Sequence, residues 1–83
     1  MSTERTFLTL QELSAWMTEH IQSFEDCEGT TVTVQYRYQT PDAYGVNWSE
    51  NVFFSPGPKA SKGIVLGHIG NLVREAREKF NIR

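Results

Sequence analysis

This chain is short of cysteine and of long apolar runs, and each shortage excludes something. The one cysteine, Cys27, leaves no partner for an internal disulfide and rules out a multi-cysteine metal site. It sits in Glu-Asp-Cys-Glu, where the acids disfavour a reactive thiolate. No stretch reaches the roughly 18 apolar residues of a membrane span. The opening Met1-Ser2-Thr3-Glu4-Arg5 reads as neither a signal nor a transit peptide, so the expectation is a cytoplasmic protein with no membrane partner. There is no HExxH, no Walker glycine-lysine loop and no Ser-His-Asp or Cys-His grouping. His20 has no second ligand at helical spacing. An enzyme is therefore not expected, and neither catalytic residues, a metal nor a cofactor is assigned. With 83 residues the chain has enough for one core, burying about 60% of its unfolded surface, and residues 1–83 read as a single domain.

What is present begins with alternation. Val32, Val34, Tyr36 and Tyr38 fall on one face of a strand over about 31–40, with Thr33, Gln35, Arg37 and Gln39 on the other. After the turn-forming Pro41 to Gly45, Val46, Trp48, Val52 and Phe54 mark the apolar face of a second strand over about 45–54. Glu50 interrupts that face, which predicts irregularity around Ser49 to Asn51. The outer face carries Thr33, Gln35, Arg37, Asn47, Ser49 and Asn51 with one aromatic, Phe53, to be covered either by a partner or by the arm around Phe7.

Two helices flank this hairpin. Thr9 and Glu12 form a capping-box signature with Leu8 and Leu13 as a staple, and Leu10, Leu13, Trp16, Met17, Ile21 and Phe24 give an apolar stripe, so helix 1 is expected over about 9–25 with Thr18 and Gln22 pointing away from it. Thr6 to Leu13 also resembles the opening of excisionase-type helix-turn-helix domains. That likeness stops at Met17, because the helical pattern runs on to Phe24. Ser61 caps helix 2, expected over about 62–80, with Ile64, Val65, Ile69, Leu72, Val73, Ala76 and Phe80 inward and Arg74, Glu75, Arg77, Glu78 and Lys79 solvated. The predicted fold is α+β: a single αββα domain with two helices on one face of an antiparallel β-hairpin, extended to a larger sheet if the chain dimerises.

Charge is divided along the chain. Residues 1–58 carry two basic and eight acidic residues, a balance of −6, and residues 59–83 carry six and two, a balance of +4. Glu25, Asp26 and Glu28 face the negative end of helix 1, and Lys59 and Lys62 the positive end of helix 2. If the two ends meet, these charges neutralise one another; otherwise they form a patch for a partner.

Helix 2 also carries Gly63, Gly67 and Gly70 in one stripe, each costing about 1 kcal/mol relative to alanine. Close approach of helix 1 or of a partner backbone would explain them, as would a break in the helix. Gly63 to Glu75 resembles the GxxG segment of KH RNA-binding domains. The resemblance implies that Gly67, His68, Ile69 and Gly70 clamp a single-stranded sugar-phosphate backbone, assisted by Lys59, Lys62 and Arg74.

These features point to a small non-enzymatic protein-binding module, a regulator or inhibitor, including the phage-encoded kind that occupies a nucleic-acid-binding surface with carboxylates. Its partner-binding residues would be Glu25, Asp26, Glu28, Glu50 and Phe53, and its partner another protein of unknown identity. Nucleic acid bound through the KH-like segment is the alternative. A two-stranded sheet with both edges open also predicts a homodimer.

Overall fold

The computed structural model describes residues 5–35 and 37–83. In chain order it contains β1 (Thr6–Leu8), α1 (Leu10–Gln22), a 3-10 turn (Glu25–Cys27), β2 (Thr31–Thr33), β3 (Phe53–Ser55), α2 (Lys62–Lys79) and β4 (Phe80–Ile82). This is a small α+β fold with two helices and two small sheets, β1 with β4 in parallel and β2 with β3 antiparallel. No helix among the described residues is long and apolar enough to cross a membrane.

The start of α1 follows from its sequence. The Thr9 hydroxyl accepts the Glu12 amide at 3.1 Å, and the Glu12 carboxylate accepts the Thr9 amide at 2.9 Å. Those bonds, with Arg83, hold the Glu12 carboxyl below its usual range. The helix ends at Gln22, earlier than expected. Phe24 turns extended and lays its ring on His68, with centroids 3.9 Å apart and planes at 16°. The acids that follow would have met the negative end of the helix dipole, and instead form a separate 3-10 turn.

One face of α1 buries Leu13, Met17 and Ile21 completely, one turn apart. A polar row beside them does something the sequence reading missed. Ser14 Oγ accepts the Val34 amide at 2.9 Å, Thr18 Oγ1 accepts the Val32 amide at 2.9 Å and donates to its carbonyl at 3.0 Å, and Gln22 Nε2 donates to the Thr30 carbonyl at 2.9 Å. Thr18 and Gln22 thus point at β2 rather than away from it. Residues four apart on a helix rise about 6 Å and residues two apart on a strand about 6.6 Å, so the two rows stay in step. The helix substitutes for a neighbouring strand along the outer edge of β2.

The two long strands are reduced to short pairings. Thr31 pairs with Ser55 and Thr33 with Phe53, while beyond them, among the described residues, only Arg37 and Trp48 bridge. Paired numbers sum to 86 in the ladder and 85 at the bridge, so the second arm holds one extra residue. It falls where Glu50 predicted irregularity: Glu50 is exposed and the Asn51 amide turns back onto Ser49 Oγ at 3.0 Å. Val32, Val34, Val46 and Trp48 are buried as the alternation requires. Tyr36 lies outside the described residues.

Among the named elements α2 packs against α1, the 3-10 turn and β4, and its Arg77 reaches the Trp48 ring of the second arm. Val65, Ile69, Leu72, Val73 and Ala76 supply its share of the core. Phe80, read as the end of the helix, is extended and opens β4, whose Phe-Asn-Ile pairs with Thr6–Leu8. Asn47, placed on the outer face by alternation, is instead buried against this strand. Its side chain donates to the Ile82 carbonyl at 2.6 Å and accepts the Ile82 amide at 2.8 Å. Ser49 is buried as well.

Arg77 also departs from expectation, because it is not solvated. It donates to Asp42 Oδ2 at 2.6 Å and to the Trp48 carbonyl, and lies over the Trp48 ring 5.8 Å from the centroid. Asp42 in turn accepts the Val46 and Tyr44 amides. The Val46 amide, then Arg77 and the Tyr44 amide hold its carboxyl below the usual range.

Candidate functional site

The 3-10 turn and the first turns of α2 enclose an open cleft of about 540 Å³, lined by Phe24, Glu25, Asp26, Lys59 and His68. Closure of the chain at this end depends on two glycines. Gly29 has φ +83° and its Cβ would lie 3.2 Å from Pro58, and a Cβ on Gly57 would fall 1.9 Å from the Glu28 carbonyl oxygen. Thr30, fully buried, accepts the Gly57 amide at 2.9 Å and ties the two segments together.

The acids and the cations meet here, as the charge division suggested. Lys59 Nζ lies 3.8 Å from Glu28 Oε2, both well exposed, and His68 Nε2 lies 3.5 Å from Asp26 Oδ1. An exposed pair of this kind is worth under about 1 kcal/mol. Glu25, Glu50, Lys62 and Arg74 are exposed and in no ion pair among the described residues.

Cys27 is buried beneath Asp26, and burial, with the Asp26 charge second, pushes its thiol up. It is therefore protonated near neutral pH unless something displaces the proton. Asp26, Cys27 and His68 bring one donor atom each to within 4.8 Å of one another. A search for ligands at helical spacing could not find this set, since its members come from two elements far apart in sequence. The only hint in the sequence is the pairing of Asp26 with Cys27.

Gly67, His68 and Gly70 do not form a loop. The helix is continuous from Lys62 to Lys79, so the amides of this segment lie within it rather than open to a phosphate, and Ile69 is buried in the core. Nor is there a close approach: a Cβ at Gly63, Gly67 or Gly70 would meet nothing within 4 Å. His68 alone of the four turns toward the cleft.

A second surface lies at the other sheet. Val32 directs its amide and carbonyl to Thr18, so its opposite number, Phe54, directs both away from β2. They have no partner among the described residues. The adjoining Phe53 is 65% exposed. The arm around Phe7 does not cover it: β1 is taken up by β4, and Phe7 is itself 55% exposed.

Comparison of the chain with protein-family models, with curated proteins and with solved structures finds no match.

Proposed function

We propose that the protein is a small protein-binding module, a cytoplasmic regulator or inhibitor without chemistry of its own, which takes an extended segment of its partner along β3. The observation that carries this reading is the asymmetry of the β2–β3 sheet. One edge is closed by Ser14, Thr18 and Gln22, and the other, among the described residues, leaves the Phe54 amide and carbonyl without a partner beside an exposed Phe53. An added strand would satisfy both groups and enlarge the two-stranded sheet, with Phe53 as the aromatic anchor and Glu50 favouring a basic neighbour. Glu25 fits a partner contact better than Asp26 or Glu28, whose carboxylates already lie beside His68 and Lys59.

The test is affinity capture from the protein's own cells after nuclease treatment, comparing wild type with Phe53→Glu. Because Phe53 is exposed, the variant should fold normally by circular dichroism and lose its partner by at least tenfold. Undiminished capture would move the docking surface away from β3. Light scattering at micromolar concentration separates the two kinds of partner: a mass twice 9.5 kDa that falls to 9.5 kDa in the variant identifies a second copy of this chain.

A further inference from the structure

We propose that Asp26, Cys27 and His68 form a binding site for a single zinc-class divalent cation. The site lies on the 3-10 turn and α2, and nothing in it rests on docking at β3. The argument starts from the donors. A thiolate, an imidazole and a carboxylate together suit a borderline-soft divalent ion rather than calcium or magnesium, which prefer oxygen alone.

Geometry then decides whether they can act together. In a tetrahedral site with bonds near 2.0–2.3 Å, ligand atoms stand about 3.5 Å apart. Here all three lie within 4.8 Å, so side-chain movements of about 1 Å close the set. His68 Nε2 is already 3.5 Å from Asp26 Oδ1. The imidazole is held in plane by Phe24 stacked on its face, which presents Nε2 to the site and limits the entropy lost on binding.

The electrostatics agree. An ion that binds displaces the Cys27 proton to solvent as the sulfur–metal bond forms, and the thiolate and the Asp26 carboxylate then balance a charge of +2. Glu25 lines the same cleft and adds attraction at longer range. The fourth coordination position opens on the cleft, where water completes the shell. Such an ion would clamp the 3-10 turn to α2, two elements joined at this surface by the Asp26–His68 contact, with the Phe24–His68 stack beside it.

The experiment uses tag-free, chelator-treated full-length protein. Addition of Co²⁺ should give a sulfur-to-cobalt charge-transfer band that saturates at one equivalent and is abolished by Zn²⁺, and Zn²⁺ should raise the melting temperature. His68→Gln and Asp26→Asn should each weaken Zn²⁺ binding at least tenfold while leaving the apo circular dichroism unchanged. Cys27→Ser should remove the charge-transfer band. If that buried substitution fails to fold, the other two variants still decide the matter. A folded wild type without the band overturns the proposal, as does a band and affinity unaltered in His68→Gln, which would place the ion elsewhere.

Discussion

The two ends of α2 are built on different rules. At its C-terminal end Arg77, Phe80, Asn81 and Ile82 meet Asp42, Gly45, Asn47 and Trp48. Trp48 Nε1 donates to the Phe80 carbonyl at 3.0 Å, Asn81 bonds the Gly45 carbonyl and the Asn47 amide, and Asn47 and Ile82 exchange two bonds. Polar groups there are consumed by one another, and Asn47, Trp48, Asn81 and Ile82 are buried. At its N-terminal end a histidine, a thiol and a carboxylate converge beside an open cleft, the Lys59–Glu28 pair is exposed, and Ile64 and Leu66 stand in solvent. The contrast separates a polar cluster interlocked within the fold from one that opens on a cleft. Interlocked buried groups rigidify the part of the fold that holds them.

The sharpest way to break the comparison is at Trp48, the largest fully buried side chain. Trp48→Ala should lower stability by about 3–5 kcal/mol, read as a reduced urea midpoint at unchanged slope. It removes the ring beneath Arg77 and leaves the Phe80 carbonyl without its donor. A loss below about 1 kcal/mol would show that the network at this end is not what the fold depends on.

Asn47→Ala tests the same end more finely. The substitution leaves the Ile82 amide and carbonyl buried without their partners, at a cost of about 2–3 kcal/mol. Hydrogen exchange should report it locally, with the Ile82 amide losing protection while Leu13 and Met17 keep theirs. Retained protection at Ile82 would mean that β4 is held by its pairing with β1 rather than by Asn47, and uniform loss across the chain would mean that the contact stabilises the whole fold rather than β4 alone.

How much of this could be read beforehand depended on the kind of signal. Periodicity and caps were legible: α1 starts at the Thr9–Glu12 box, the alternating valines and Trp48 are buried, and Glu50 marked the register slip. Polar contacts across the chain were not. Ser14, Thr18 and Gln22 recur at a spacing visible in the sequence, yet a polar row on a helix usually faces water, and nothing local says that a strand edge lies opposite. β4 was taken into the helix because Phe80 continues its apolar stripe. Three-residue strands carry too few positions for alternation to register. Of the candidate residues, Asp26 and His68 were noted for charge and for the GxxG pattern, and only the fold puts them beside Cys27. The same continuity of α2 that brings His68 there removes the loop on which the KH-like reading depended.

The smallest expected effect sharpens the comparison at the open end. Gly67 is helical with negative φ, and a Cβ there meets nothing within 4 Å. Alanine should therefore stabilise the domain by about 1 kcal/mol, through the entropy that glycine loses on entering a helix. Gly57→Ala provides the opposing control, since its Cβ would collide with the Glu28 carbonyl oxygen and must destabilise. Thermal melts of both variants measure the pair. If Gly67→Ala instead lowers the melting temperature, the helix is interrupted or covered at Gly67 in solution, and the open end is less open than its geometry indicates. If it raises the melting temperature while partner capture falls, the fold has no use for the glycine and the bound partner does. The stripe would then join Phe53 as part of the docking surface.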